Sequence, residues 1–281
     1  APGSRAADRQ PALTGRLVPR LALGIEYDGS AFAGWQFQSH ARSVQGDLQL
    51  ALAQVADHPV ELTAAGRTDA GVHALEMVAH FDTTAERPLH AWMLGANANV
   101  AADISVLWAH AVPDDFHARH HATARRYHYR ILNRRMRPAL ERQRVCWVRH
   151  QLDAERMHEA GRALVGRHDF SAFRASECQS PGPVRELMEL SVERDGPYVD
   201  LRVRANAFLH HMVRNIAGSL ILVGRGERTT EWLSAVLRGR DRREAGPTAP
   251  PGGLYFVGAD YPAGIGLPSG RLRRPPTGAA S

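Results

Sequence analysis

The chain has 281 residues, 44% of them hydrophobic, a formal net charge of +6 and an isoelectric point near 10. All 35 of its basic residues are arginine, which excludes Schiff-base lysine chemistry and a phosphate loop of the G-K-[ST] type. Its two cysteines, Cys146 and Cys178, form no C-x-x-C pair, which argues against a disulfide scaffold and a cysteine-rich zinc site. No apolar run reaches the ~18–20 residues that would span a bilayer. The opening "APGSRAADRQPALTGR" lacks the apolar core of a signal peptide, so a cytoplasmic chain with no membrane partner is expected. The basic balance points to a polyanionic partner.

Residues 1–16 and 263–281 are rich in Pro, Gly, Ala and Arg without periodicity and read as flexible tails. Between them one pattern occurs twice. Leu21, Leu23, Ile25 and Tyr27 alternate as in a strand. Ser43 is a candidate cap for a helix with Val44, Leu48, Leu52 and Val55 on one face. "PVELTA" and "EMVAHFD" then read as strands, "LHAWMLGANAN" as a short helix and "ISVLWAHAV" as a strand. The order is β-α-β-β-α-β.

After "AVPDDFHARHHATA" the pattern starts again with the strand "RRYHYRIL". Asp153 caps a helix that carries Met157, Ala160 and Leu164. A hairpin is expected around Asp195-Gly196, then a long helix over about 209–223, a short helix near Thr230 and a closing strand in "GLYFVGADY". The sequence therefore predicts an α+β protein of two similar ferredoxin-like, split βαβ halves, spanning 17–115 and 116–262. Their mixed antiparallel sheets are expected to face a central basic cleft.

From Phe116 to His150 there are ten arginines, at positions 119, 125, 126, 130, 134, 135, 137, 142, 144 and 149, against the single carboxylate of Glu141. Tyr127, Tyr129 and Trp147 are interleaved with them. A field of one sign with aromatic platforms suits the phosphates and splayed bases of nucleic acid. Within "RRYHYRI", alternation puts Tyr127, Tyr129 and Ile131 on one face and Arg126, His128 and Arg130 on the other. By pattern alone Tyr127 is a core residue.

In "GRTDAG", Gly66 and Gly71 bracket an Arg and an Asp, and permit a backbone path that a Cβ resists. Asp69 alone reads as a turn residue bonded to its own backbone. A guanidinium from Arg67 held close to it would orient the carboxylate as a possible nucleophile. Spacing goes no further.

The string "GRTDAGVHA" resembles the catalytic motif of the tRNA pseudouridine synthase A family. "YDGSAFAGWQFQ", "SVQGDL", "PDDFHAR", "TARRYHYRI", "FRASECQS", "NAFLHHMVRNI" and "GLYFVGADY" resemble further blocks of that family, in its order, from about Leu21 to Pro262. The resemblance implies an isomerase acting on uridines 38, 39 and 40 of the tRNA anticodon stem-loop. The uracil leaves C1′ of its ribose, turns, and is rejoined through C5, with no cofactor and no metal. Asp69 matches the family's catalytic carboxylate, which either attacks the nucleoside or takes a proton from the ribose. Arg67 matches the residue that takes the place of the extruded uridine in the stack. Tyr127 matches the aromatic residue packed on the flipped base, Arg214 the basic partner of the carboxylate, and Leu254 an apolar wall of the pocket. The family works as a homodimer bridged by tRNA.

Arg87, Arg119 and Arg135 are the expected contacts to the RNA backbone. His73 is read as structural and Cys178 as an ordinary buried thiol. His210 and His211 suggest a metal, but successive helix residues are not expected to converge on one ion. A non-catalytic tRNA chaperone explains the basic band equally well, though not an Arg and a carboxylate in one constrained turn. A DNA-binding regulator finds no helix-turn-helix or finger spacing.

Overall fold

The computed structural model describes residues 19–268. Both halves adopt the expected order. The first runs β1 (Arg20–Tyr27), α1 (Val44–Ala56), β2 (Thr63–Ala64), β3 (His73–Asp82), α2 (Leu89–Asn99) and β4 (Ile104–Val112). In the second, β5 (Ala124–Asn133), α3 (Ala154–Arg162), β8 (Val184–Asp195), β9 (Tyr198–Ala205), α4 (Met212–Gly224) and β10 (Leu254–Asp260) form the repeat. Short strands β6 (Cys146–Val148) and β7 (Gly166–Asp169) and helix α5 (Thr230–Gly239) are added to it.

Local chemistry accounts for most boundaries. The Ser43 hydroxyl accepts the Gly46 N–H at the start of α1, and Asp153 accepts the Arg156 N–H at the start of α3. Asp57 and Arg240 end α1 and α5 in left-handed conformations. The hairpin turns at Gly196, with Asp195 opposite Tyr198. Two expectations fail locally. "PVELTA" contributes only Thr63–Ala64 as strand, and the long helix begins at Met212, because His211 holds a left-handed φ of 61°. The short strands β6 and β7 had no period in the sequence long enough to find.

The two halves do not carry separate sheets. One sheet runs β4-β1-β3-β10-β5-β9-β8-β7, with β2 also on β3 and β6 also on β5. Strand β10 makes the join, parallel to β3 and antiparallel to β5. β3 divides its edge: His80 and Ala79 pair with β2, while His73 and Ala74 pair with β10. The chain between β2 and β3 therefore turns at the seam between the halves.

Two apolar cores flank that seam. One gathers α1, α2 and β1, β3 and β4 around Trp35, Trp92 and Phe81. The other gathers α3, α4, α5 and the second half of the sheet around Tyr129, Phe170, Phe173 and Leu201. Val72, from the first half, belongs to the second core, and Phe256, from β10, belongs to the first. Residues 263–268, expected as part of a loose tail, are placed against the first core through Ile265 and Leu267. The remaining tail residues lie outside the described ones. No helix among the described residues is long and apolar enough to cross a membrane.

Candidate active site

The segment 65–72 that joins β2 to β3 is tied down along its length. The Ala65 N–H donates to the Val78 carbonyl at 2.8 Å, and the Ala65 carbonyl accepts from Nε and Nη2 of Arg125 at 3.2 and 3.1 Å. The Thr68 hydroxyl meets the Tyr27 hydroxyl at 2.7 Å, and the Thr68 carbonyl accepts the Trp35 N–H at 3.0 Å. The Gly71 N–H reaches the Phe32 carbonyl at 3.3 Å. Val72 then plugs into the second core.

Gly71 has φ of 76°, as the turn requires. Gly66 does not need to be glycine for the fold. It has no positive φ, and a Cβ there would meet only Phe256, at 3.7 Å. A further required glycine is Gly34, with φ of 106° and its Cα so close to the segment that a Cβ would lie 2.6 Å from the Thr68 carbonyl oxygen.

This path presents Asp69, half-buried, to the start of α4. Arg214 Nη1 donates to Asp69 Oδ2 at 3.1 Å. His210 Nε2 lies 3.3 Å from Oδ1 and His211 Nε2 lies 3.3 Å from Oδ2. The guanidinium is aimed by its own Nε, which donates to the Ala249 carbonyl at 2.8 Å. The Ala249 N–H in turn donates to the Arg214 carbonyl. Residues 245–253, unusual in sequence for their Pro and Gly content, thus orient the cation. His210 is held by its backbone: its carbonyl accepts the Ala175 N–H and its N–H donates to Cys178 Sγ. Cys178 is half-buried rather than buried, and serves as that acceptor.

The cation beside Asp69 is Arg214, from the opposite half, as the resemblance implies. Two readings of spacing are corrected here. Arg67, two residues away, is exposed and is not among the ion-pair partners of Asp69. The two histidines do converge. Because His211 is left-handed and precedes the helix, its ring is not swung away from that of His210; the rings lie 4.0 Å apart, and Asp69, His210 and His211 offer ligand atoms all within 4.8 Å of one another. Burial lowers the affinity of His211 for a proton, and His210 and Arg214 add to that effect while Asp69 opposes it. The sequence singles out both imidazoles, but the expectation that they do not converge assumed both lie within the helix, which begins only at Met212.

Tyr127 lies at the seam, packed against both cores, with edge-to-face contacts to Phe208 at 4.9 Å and Phe256 at 5.3 Å. Burial pushes its phenol well above the usual tyrosine range, and Asp69 nearby adds to the shift. Leu254 opens β10 opposite Tyr129 and is buried in the second core. His73 is structural: Nδ1 accepts the Gly29 N–H, Nε2 bonds the Gln143 carbonyl at 2.9 Å, and the ring stacks on Tyr255.

The arginine band divides. Arg125 spends its guanidinium on backbone carbonyls of Ala65, Arg119, Ala122 and Asn206. Arg126 pairs with Asp260 and Arg144 with Asp28. Arg130 is buried beside Asp200 and His128, under the Tyr198 ring. These four are structural, contrary to a uniform phosphate-binding band. Arg119, Arg134, Arg135, Arg137, Arg142 and Arg149 are exposed, as is Arg87.

A family model described as "tRNA pseudouridine synthase" matches residues 24–121 and 160–262. The chain is 56% identical over 249 residues to a tRNA pseudouridine synthase A of Aeromonas hydrophila, covering 89% of this chain and 93% of the relative. It is 55% identical to a protein of the same name from Vibrio vulnificus, with 89% and 94% covered. A Coxiella burnetii protein of that name is 53% identical over 251 residues, with 89% and 96% covered.

Proposed function

The chain belongs to the tRNA pseudouridine synthase family, isomerases acting on tRNA, and from that premise we propose that it converts uridines 38, 39 and 40 of the anticodon stem-loop to pseudouridine, with Asp69 as the reacting carboxylate. The observation that carries this reading is the constellation around Asp69: one half-buried carboxylate at the seam, with a guanidinium from the other half at 3.1 Å. A chaperone has no need of such a pair in a segment so firmly pinned.

The isomerisation breaks the N1–C1′ bond and makes a C5–C1′ bond. A proton leaves C5 and N1 gains one, so the product has the mass of the substrate. Asp69 acts on the nucleoside or on its ribose during the first of these events. Arg214 offsets the negative charge of the carboxylate and fixes the direction of its lone pairs. The uridine must leave the stack to reach it, which costs a few kcal/mol. Arg67, exposed and two residues from Asp69, fills the vacated place. Tyr127 stacks on the extruded uracil, contributing about 1–3 kcal/mol, and Leu254 bounds the pocket. Arg87, Arg119 and Arg135 hold the RNA backbone. A homodimer bridged by one tRNA, which rests on the family, completes the reading.

Asp69→Asn keeps the size and loses the charge. The variant is expected to bind tRNA and form no pseudouridine, measured by chemical labelling at nucleotide resolution. Wild-type turnover in that variant removes Asp69 from the mechanism.

A further inference from the structure

Two imidazoles and one carboxylate gather in one place: Asp69, His210 and His211 offer ligand atoms within 4.8 Å of one another. The two imidazole–carboxylate separations are both 3.3 Å. That is long for a charge-assisted hydrogen bond, which runs about 2.7–2.9 Å. It matches the edge of a coordination tetrahedron: ligand bonds of about 2.0–2.1 Å place neighbouring donors about 3.3–3.4 Å apart. The carboxylate offers Oδ1 to His210 and Oδ2 to His211, and ligand atoms of the three side chains lie within 4.8 Å of one another, close enough to share one ion. Two imidazoles and one carboxylate suit a late first-row divalent metal rather than magnesium or calcium, which take oxygen ligands.

The site is also built rather than loose. Asp69 rides on the pinned segment 65–72, His210 is fixed by Ala175 and Cys178, and His211 by the carbonyl bond that starts α4. The imidazoles are the last residues before the helix and come from the half opposite Asp69.

We propose that Asp69, His210 and His211 form a binding site for a zinc-class divalent cation, and that the bound cation competes with uridine for the Asp69 carboxylate. The competition rests on the reading of Asp69 as the reacting group; the metal site does not. Arg214 decides the character of the site. Its guanidinium stands 3.1 Å from Oδ2, so an arriving cation must displace it. Binding is therefore reversible and inhibitory, unlike that of a resident cofactor, and the metal-free protein is the active form.

The test is zinc binding to chelator-treated protein by equilibrium dialysis, with cobalt as a spectroscopic stand-in. One zinc per chain is expected, and cobalt should show the intense visible bands of four- or five-coordination. His210→Gln and His211→Asn should each weaken binding at least about tenfold, since each removes a ligand. Asn is chosen at 211 because it tolerates the left-handed backbone there. Thermal unfolding of each variant, matched to wild type, shows that the site and not the fold was lost. Arg214→Gln should tighten binding, which an adventitious surface site would not reproduce. Saturating zinc should abolish pseudouridine formation, with recovery on adding chelator. Absence of stoichiometric binding at millimolar zinc, or binding indifferent to both histidine variants, overturns the site. Full turnover with the site loaded overturns the competition. If the chelator-treated protein makes no pseudouridine, the proposed function fails by itself, and dialysis still decides the metal site.

Discussion

Gly34→Ala places a single methyl group against segment 65–72, which carries Asp69, from the outside. The Cβ would lie 2.6 Å from the Thr68 carbonyl oxygen, 3.2 Å from the Asp69 carbonyl carbon and 3.3 Å from the Ala70 nitrogen. Ordinary contact begins near 3.4 Å, so the segment must retreat by about 0.5–1 Å at the residue next to the carboxylate. The backbone adds to the strain, since φ of 106° lies outside the left-handed region that alanine tolerates. Strained dihedrals cost about 1–3 kcal/mol and overpacking about as much again, giving an expected destabilisation of about 2–6 kcal/mol. Displacement of a reacting group by 1 Å can lower turnover by about a hundredfold, so a loss of about ten- to a hundredfold in kcat is expected here, with tRNA affinity little changed. Urea unfolding and single-turnover pseudouridine formation measure the two effects. Gly66→Ala is the control: its Cβ has room, and its stability should stay within about 1 kcal/mol of wild type. A Gly34→Ala protein with wild-type stability and turnover would refute the claim that this close approach places Asp69.

Tyr127→Phe should keep most activity, because the buried phenol stays protonated and its ring is what the reading requires; Tyr127→Ala should lose about 1–3 kcal/mol of substrate stabilisation, seen in kcat/KM. A Phe variant as impaired as the Ala variant would give the hydroxyl a role instead. His80 is buried beside Phe116 and His117, and burial first, then Arg20, push its pKa down to about 4. A base depressed in the folded state contributes stability that is present above the unfolded pKa of about 6.5 and is lost as pH falls toward 4. The upper bound is about 3 kcal/mol, which water near the ring reduces to about 1–2. His80→Gln should therefore narrow the stability difference between pH 7 and pH 5, and unchanged urea midpoints would count against it. Arg119→Gln and Arg135→Gln should each lower the slope of log K against log salt for tRNA by about 0.7–0.9, whereas Arg144→Gln, already paired with Asp28, should change it less. Equal slopes for all three variants would show that exposure does not select the phosphate contacts.

What the sequence disclosed followed its periodicity. Alternation located β1, β4 and β5, and side-chain caps at Ser43 and Asp153 located two helices, because these signals lie within a few residues of one another. The doubled β-α-β-β-α-β order was readable for the same reason. The single sheet was not, since it depends on β10 pairing with β3 across 182 positions, as Tyr255 with His73. The site divided in the same way. Resemblance pointed to Asp69 and Arg214, yet the residues next to Asp69 in sequence proved poor guides to its neighbours in space. Arg67 turns outward, while His210 and His211 arrive from the other half. The arginines of the band looked alike as letters; only burial separated Arg125 and Arg130 from Arg119 and Arg135.

The seam explains why the carboxylate and its cation are supplied by different halves. Only two residue pairs join β10 to β3, few hydrogen bonds for a contact that sets a distance of 3.1 Å. The alignment is secured instead by side chains that cross over: Val72 buried in the second core, Phe256 in the first, and Tyr127 against both. Arg125 adds a polar brace from β5 to the Ala65 carbonyl, four residues before Asp69. Loosening the seam would thus disturb the Asp69–Arg214 pair before either core melts.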